Sequence, residues 1–404
     1  MQIAHRLVLD RGPTAWLTPR QAEPYPFGDR WMSKFDWTSR RNFLVGLASV
    51  PISTGLAVRP FGARQQSPPT YSSSSPYNRA FDFQSLNSWI VPNDEFYTRS
   101  HFPVPRTTGS TWTVTVDGAV DQVRSFTLDD IKKLPFRELP VTLECAGNLV
   151  GYGGVSNARW GGVSLGTLLR AAGVKSNAVE VILSGADGGP EREANGLQID
   201  AFARGIPVAK ALDVDTVLAY QMNGEALPSV HGGPLRAIVP GWYGMDSVKW
   251  INRVWVSREP FSGFYQTKRY FEAKRVGGTI KTGPLHEMRI KSQLARPRPD
   301  EALLLSRKIE IAGAAWGSST GIQRVDLSFD GARSWQPAAL DEEKAPYAWR
   351  IFRFQWQPSR SGTYEIVARA TDGGGRQQPM SKDPDILTPY ANNWCDRKIV
   401  SVSG

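Results

Sequence analysis

The amino-acid sequence predicts an α+β domain followed by an all-β sandwich of the immunoglobulin type. Short strand patterns mix with a few helix patterns up to about residue 260, whereas strand patterns alone occur after about residue 308. The 14 tryptophans and 29 prolines also favour a loop-rich, strand-rich protein. The 404 residues leave room for two or three domains, and 41% hydrophobic with 21% charged residues is a normal globular composition.

Residues 77–260 are predicted to form the α+β domain. Two segments have the apolar pattern of a strand, and two others have the periodicity of a short helix. They are Thr111–Asp117 and Val179–Ser184 for the strands, and Leu128–Leu134 and Leu165–Ala172 for the helices. Gly173 follows the second helix directly and is a typical helix stop.

Residues 308–404 are predicted to form the sandwich, and residues 261–307 to connect the two domains. Four segments of the C-terminal part have strand patterns, namely Lys308–Ala312, Arg324–Phe329, Trp349–Phe354 and Gly362–Ala370. The second strand ends at Asp330-Gly331, which is a strong hairpin signal. Several short strands at this spacing are typical of an immunoglobulin-like sandwich.

The first 64 residues have the features of an export leader. Arg40-Arg41 stands directly before the apolar run Phe43–Val58, the order of an export signal. Paired arginines before Phe-Leu resemble a twin-arginine signal, which predicts a periplasmic protein. The run is too short for a membrane span. Residues 65–76 are interpreted as a linker, and residues 1–31 as a gene-start artefact because Met32 lies at a more usual distance from the arginines.

The formal net charge of +10 is unevenly distributed. The leader holds nine Lys/Arg and four Asp/Glu, which accounts for +5. The rest of the chain lacks a basic stripe interleaved with aromatic residues, so the sequence argues against nucleic-acid binding. A mildly cationic surface suits an anionic small-molecule substrate or an acidic partner instead.

Cys145 lies in the most informative motif, Val141-Thr-Leu-Glu-Cys-Ala-Gly-Asn148. A strand pattern ends at Cys145, and Gly147 lets the backbone turn tightly after it. A thiolate presented in this way is a soft ligand suited to a transition metal. Taken alone, however, a single cysteine after a strand is more often a small buried apolar residue. The other cysteine, Cys395, has different surroundings, which favours separate roles over a disulfide.

This octapeptide resembles the cysteine loop of the sulfite oxidase family, in which the cysteine binds molybdenum beside the molybdopterin dithiolene. Further matches follow in the family's order. They are Phe96–Pro105, Ala158–Gly162, His231–Arg236, Val239–Gly244 and Ser247–Trp250. The resemblance covers nearly all of residues 77–404. It implies a molybdopterin-binding domain followed by a domain that serves dimerisation, and therefore a homodimer.

The resemblance implies a molybdenum–molybdopterin cofactor with Cys145 as the metal ligand. Carried over by motif, the cofactor-binding residues are Tyr97, Thr98, Arg99, Ser100, His101, Asp187, His231, Arg236, Ser247, Val248 and Lys249. Arg236 and Lys249 suit the cofactor phosphate, the first as a bidentate fork and the second as a point charge. Two residues are implied to be catalytic: Arg99 would hold an oxyanion, and the Tyr270 hydroxyl would face the metal.

The implied reaction is oxygen-atom transfer, with oxidation of sulfite to sulfate as the leading candidate. The sequence has no haem motif or flavin module, which predicts a separate electron acceptor such as a periplasmic c-type cytochrome. Three alternatives are a sulfoxide reductase of the same superfamily, a plant-type nitrate reductase core and a non-enzymatic binding protein of the cell envelope. The first usually lacks the sandwich, and the second normally carries electron-transfer domains.

The substrate pocket departs from the family pattern. Leu149 and Val150 stand where the family has an arginine, and Pro384–Trp394 contains no arginine near its expected place. Arg159 and Lys268 are candidate substitutes for the missing positive charge. A doubly charged oxyanion needs fixed counter-charge. The sequence therefore predicts weak sulfite binding or a less charged substrate.

The leader generates a test of export. Changing Arg40 and Arg41 together to Lys should leave the protein in the cytoplasm, because the twin-arginine route requires the arginine pair. Translation from Met32 should still give exported protein. Cell fractionation and immunoblotting measure both outcomes. Retention of the Met32 form, with export of the longer form, would contradict the interpretation of residues 1–31 as an artefact.

Overall fold

The structure, a computed structural model, describes residues 75–106, 109–191, 194–299, 301–317 and 319–404. The predicted leader and all but the last two residues of the predicted linker lie outside this part of the chain. Pro69–Gly404 is one compact unit. Within the described ranges, every helix is too short or too polar to cross a membrane.

Strands dominate the N-terminal part, together with three short helices. The strands are β1 (Thr113–Gly118), β2 (Arg124–Thr127), β3 (Phe136–Glu144), β4 (Val155–Ser164), β5 (Glu180–Gly185), β6 (Gly189–Glu191), β7 (Leu197–Ile199), β8 (Ala203–Pro207), β9 (Val217–Met222), β10 (Glu225–Ala226), β11 (Arg236–Ile238), β12 (Ile251–Ser257), β13 (Phe271–Val276) and β14 (Thr279–Pro284). The helices are α1 (Leu128–Lys132), α2 (Leu165–Ala172) and α3 (Val208–Leu212), and Tyr265–Arg269 forms a π-helical turn.

Ten of these strands form one mixed and one antiparallel sheet, while β6 pairs with β7 and β13 with β14 as separate hairpins. One has the order β2-β1-β12-β5-β8, in which β1 and β12 are parallel. The other has the order β10-β9-β4-β3, with β11 also paired to β9. Local sequence explains the helix ends: Thr127 and Asp130 form a capping box at the start of α1. Gly173 adopts φ 73° directly after α2, a left-handed conformation that favours glycine.

The C-terminal part is also built of strands, as the sequence predicts. They are β15 (Lys291–Arg296), β16 (Leu303–Leu304), β17 (Ile309–Trp316), β18 (Ile322–Ser328), β19 (Gln336–Pro337), β20 (Ala339–Leu340), β21 (Arg350–Trp356), β22 (Gly362–Asp372) and β23 (Arg397–Ser403). They form two sheets, β15-β17-β21-β20 and β16-β23-β22-β18-β19. The immunoglobulin-like topology itself stays a prediction. Strand β15 falls inside the predicted connecting segment. It was not predicted as a strand because its mixed polar sequence lacks strand alternation.

A continuous apolar core joins the two parts. Trp349, next to β21, is fully buried against the N-terminal part. Its backbone N–H donates to Thr142 Oγ1 at 2.8 Å, and its indole N–H donates to the Trp89 carbonyl at 2.9 Å. A buried indole N–H needs such a partner. The sandwich is therefore packed directly against the sheet that carries Cys145.

The loop after β3 is held by hydrogen bonds within itself. Cys145 N–H donates to the Gly154 carbonyl at 2.8 Å, and Gly154 N–H donates to Asn148 Oδ1 at 2.9 Å. Asn148 N–H in turn donates to the Cys145 carbonyl at 2.8 Å. Since β4 begins at Val155, these bonds close the loop between two paired strands and fix the position of Cys145.

A buried carboxylate links this loop to the sandwich. Glu144, the last residue of β3, accepts from Lys291 Nζ and from Asn148 Nδ2, both at 2.9 Å to Oε1. Its Oε2 accepts from the Trp316 indole at 2.8 Å. Lys291 also donates to the Asn148 carbonyl at 3.0 Å. Lys291 and Trp316 belong to β15 and β17, so the residue before Cys145 is neutralised by the sandwich.

This ion pair generates a stability prediction. Lys291→Met should lower the free energy of unfolding by about 3–5 kcal/mol, because it leaves the Glu144 carboxylate buried without a counter-charge. Replacing both partners, as Glu144→Gln with Lys291→Met, should recover most of that loss. Urea unfolding followed by circular dichroism measures the three free energies.

A surface ion pair serves as the matched control. Arg397 contacts Glu365 at 2.7 Å with both side chains more than a third exposed. Arg397→Met should therefore change the free energy of unfolding by only about 0–1 kcal/mol. If Lys291→Met is no more destabilising than this control, the Glu144 network does not hold the two parts together.

Candidate active site

A cavity opens beside the Cys145 loop. All thirteen residues that the sequence assigned to a metal, cofactor or catalytic role lie on its lining. They are Tyr97, Thr98, Arg99, Ser100, His101, Cys145, Asp187, His231, Arg236, Ser247, Val248, Lys249 and Tyr270. The first and last of these residues, Tyr97 and Tyr270, are more than 170 residues apart in the sequence. The fold therefore brings the predicted site residues together on one cavity.

Cys145 is half-buried at the cavity wall. Burial raises the pKa of its thiol, while the Arg99 guanidinium and the Gly147 backbone N–H favour the thiolate. Arg269 also lowers the pKa of this thiol. A metal ion binds the deprotonated sulfur, so these positive groups favour the form of Cys145 that can act as a ligand.

The buried Arg236 and the half-buried Lys249 face the cavity beside the buried carboxyl of Asp187. The Arg236 guanidinium donates to the His231 carbonyl at 2.8 Å and to the Ser247 carbonyl at 2.7 Å, and lies 4.9 Å from the Trp160 ring centre. Lys249 Nζ donates to the Arg99 carbonyl at 3.1 Å. Burial lowers the pKa of Lys249, and the nearby Arg236 charge lowers it further. An anion in the cavity would relieve this repulsion, as a phosphate does.

His231 is neutral and has a defined tautomer. Its Nε2–H donates to the Asn93 carbonyl at 2.7 Å, so Nδ1 is left as an acceptor for the Thr98 hydroxyl at 3.4 Å. Burial lowers the pKa of His231 to about 4. Asp187 is also buried, and burial raises its pKa against the effect of Lys249. The lining therefore offers neutral donors and acceptors next to fixed positive charge.

This donor set fits a molybdopterin cofactor. A soft thiol suits the metal, two neighbouring cations suit a phosphate, and the neutral imidazole with several hydroxyls suits the polar edges of a pterin. Among the described residues on the lining, the cations are Arg99, Arg236 and Lys249. With Arg236 and Lys249 placed for a phosphate, Arg99 is the lining cation left for a substrate.

Tyr270 is positioned through its backbone by a buried arginine. Arg204 is fully buried, and its Nε donates to Asp246 Oδ1 at 2.7 Å. Its guanidinium also donates to the carbonyls of Tyr265 and Tyr270, and to that of Leu285 at 2.7 Å. These bonds fix the turn that carries Tyr270 to the cavity.

Arg269 and Tyr390 also belong to this region, although the sequence analysis did not assign them. The Arg269 guanidinium carbon lies 5.9 Å from the ring centres of both Tyr270 and Tyr390, and the two rings are 5.2 Å apart. The Tyr390 ring also lies against Gly147 in the cysteine loop. Adjacency to Tyr270 was a usable signal for Arg269. Tyr390 arrives from the sandwich, and no local pattern indicates its position.

The two proposed substitutes for the missing arginine lie elsewhere. Arg159 is 48% exposed, lies 4.0 Å from Glu138 and is absent from the cavity lining. Lys268 is exposed and is also absent from the lining. Leu149 is 48% exposed, so it does not fill the cavity in place of an arginine. Arg269 is the cation that the structure places near Cys145 together with Arg99.

Comparison with known proteins agrees with this geometry. Residues 101–265 match the oxidoreductase molybdopterin binding domain, and residues 283–402 match the Mo-co oxidoreductase dimerisation domain. Mitochondrial sulfite oxidase of Mus musculus is 35% identical over 338 residues, covering 76% of this chain and 60% of the mouse protein. Sulfite oxidase of Gallus gallus is 33% identical over 346 residues, covering 78% of this chain and 73% of the chicken protein.

A solved structure has the same fold. The sulfane dehydrogenase SoxCD from Paracoccus pantotrophus is similar with a TM-score of 0.72 and 26% identity, covering 92% of this chain and 96% of that one. The present chain spans about 60% of the length of the mouse enzyme. With two domain matches in the expected order and a cavity whose residues fit the cofactor, the chain belongs to the sulfite oxidase family of molybdopterin-dependent oxidoreductases.

Proposed function

We propose that this protein is a molybdoenzyme that oxidises a small sulfur oxyanion, with sulfite as the first candidate. The observation that carries the proposal is the convergence of Cys145, Arg99 and Tyr270 on one cavity with the two cations Arg236 and Lys249. When bound, the molybdenum cofactor supplies a centre that exchanges an oxygen atom and accepts two electrons. The protein binds and orients both cofactor and substrate.

Each side chain has a defined part in this proposal. Cys145 is the protein ligand to the metal, and Arg236 with Lys249 holds the cofactor phosphate. Arg99 attracts the oxyanion and holds it beside the metal, and Arg269 adds positive charge from the adjoining turn. Fixed charges in a low-dielectric site stabilise an anion without reorganisation. Tyr270 orients the bound substrate through its hydroxyl.

The small number of cations limits the charge that the site can hold. Leu149 points outward, and Arg99 with Arg269 provides the charge near Cys145. We therefore expect a higher Michaelis constant for sulfite than in arginine-rich relatives. A less charged sulfur compound is the second candidate, favoured by the Tyr390 ring beside Tyr270 and by the likeness to a sulfane dehydrogenase.

The remaining parts of the proposal concern assembly and location. The match of residues 283–402 to a dimerisation domain supports a homodimer with two-fold symmetry, the commonest assembly of soluble proteins. A c-type cytochrome is the proposed electron acceptor, on the sequence grounds given above. Arg40-Arg41 supports periplasmic location by the twin-arginine route.

The ligand assignment predicts the effect of one substitution. Cys145→Ser should abolish turnover and leave the fold intact, because a serine oxygen is a poor substitute for a soft thiolate. Cys395→Ser is the matched control, since this second cysteine is buried in the sandwich away from the cavity. Steady-state assays with sulfite and cytochrome c, together with circular dichroism, measure both variants. Wild-type activity in Cys145→Ser would rule out the ligand role.

The charge argument predicts a second effect. Arg269→Met should lower kcat/KM for sulfite about tenfold, equivalent to about 1.4 kcal/mol, because it removes one of two cations near the oxyanion. The neighbouring Lys268→Met removes the same formal charge from an exposed position and should change kcat/KM little. The same assay compares the two. An equal effect of both variants would mean that only overall charge matters and that Arg269 has no specific part.

A further inference from the structure

A row of hydrogen-bonded side chains leads away from the cavity at Tyr270. The Tyr270 hydroxyl lies 2.7 Å from His101 Nε2, and His101 Nδ1 lies 3.2 Å from Glu191 Oε2. The Tyr265 hydroxyl donates to the same Glu191 oxygen. The side chains of His101 and Glu191 are 6% and 4% exposed. Such a buried row allows few arrangements of its protons.

The His101 ring is held in place by its aromatic neighbours. Phe202 stacks on it with ring centres 5.6 Å apart and planes 15° apart, and the Tyr265 ring centre lies 4.6 Å away. Burial lowers the pKa of His101 to about 4, opposed by its hydrogen bond to Glu191 and assisted by the charges of Arg99 and Arg269. The imidazole is therefore neutral near pH 7 and carries one N–H.

The position of that single proton follows from the partners. Glu191 Oε2 already accepts from the Tyr265 hydroxyl, and Glu191 acts on His101 as a negative charge that raises its pKa. An ionised carboxylate only accepts hydrogen bonds, so the bond to Glu191 requires the proton on Nδ1. Nε2 is then a bare acceptor, and the Tyr270 hydroxyl must donate to it. A phenol has one proton. Once this proton is directed at His101, the oxygen of Tyr270 offers only lone pairs to the cavity.

We propose that Glu191 is a positioning residue that sets the tautomer of His101 and so makes Tyr270 a hydrogen-bond acceptor toward the substrate. This inference rests on the proposed function and deepens it, because it names a class of substrate. A bare oxyanion placed against an acceptor is disfavoured, whereas a substrate that carries its own proton is bound. The preferred substrate is therefore a protonated, singly charged sulfur oxyanion or a neutral sulfur acid.

The tautomer itself is measurable without turnover. Nitrogen-15 labelling of histidine in the oxidised holoenzyme, followed by long-range proton–nitrogen correlation, distinguishes a protonated Nδ1 from a protonated Nε2. His101→Asn identifies the signal among the four histidines. The wild-type protein should show a protonated Nδ1 and a bare Nε2. A protonated Nε2 in the wild type would overturn the proposal, whatever the variants do.

Two variants test whether Glu191 sets the tautomer of His101 or only packs against it. Glu191→Gln keeps the shape but lets the side-chain amide donate to Nδ1, so the signal should shift toward the Nε2–H form. Tyr265→Phe removes the other bond to Glu191 and keeps the carboxylate, so the Nδ1–H form should persist. An unchanged tautomer in Glu191→Gln would overturn the proposal.

Kinetics then tests the consequence for the substrate. In Glu191→Gln, Tyr270 regains a proton to donate, so KM for the fully deprotonated form of sulfite should fall about tenfold, with a smaller change in kcat. Tyr270→Phe has no hydroxyl, so in that background Glu191→Gln should no longer change KM. An unchanged KM together with a shifted tautomer would refute the specificity claim. If sulfite is not turned over at all, the proposed function fails while the tautomer result stands by itself.

Discussion

The buried carboxylate of Glu144 is the interaction on which the catalytic centre depends. It stands directly before Cys145, yet its counter-charge, Lys291, and its second donor, Trp316, come from the sandwich. A charge buried in this way is tolerated only while every partner stays in place. The sandwich therefore supplies two of the side chains that hold the residue before Cys145, in addition to matching a dimerisation domain.

The cavity imposes a second constraint, which is electrostatic repulsion rather than attraction. Arg236 is buried and Lys249 is half-buried close to it, and their mutual repulsion is only partly offset by Asp187. Without an anion the folded protein bears this electrostatic cost; with one, the same charges become favourable contacts. Binding of the cofactor is thus coupled to stability by mass action, since a group that binds only the folded state stabilises it.

Local sequence patterns were enough to predict the cavity residues that lie in continuous motifs, but not those that reach the site through tertiary packing. Cys145 and Arg236 lie inside continuous motifs, and the structure places them on one cavity as predicted, although their chemical roles stay predictions. Tyr390, Glu191 and Lys291 reach the site from distant segments through tertiary packing, and nothing in their neighbouring residues indicates it. β15 went unrecognised as a strand for the same reason, since its polar residues are buried by partners far away in the sequence.

Arg204 fixes the backbone of the turn before Tyr270, whereas the side chains of Arg269 and Tyr270 supply the chemistry there. Its guanidinium holds the turn at Tyr265–Arg269 through backbone carbonyls, which every amino acid possesses. Tyr265 and Gln266 are also held by their own side chains, which bond to Glu191 and to the Gly205 carbonyl. The bonds from Arg204, in contrast, do not depend on which side chains stand at positions 269 and 270. Selection, or a protein engineer, can therefore exchange the residues at positions 269 and 270 and retune the pocket while the scaffold stays the same. The cavity wall can change at position 270, and the charge beside it at position 269, without loss of the backbone contacts that Arg204 supplies.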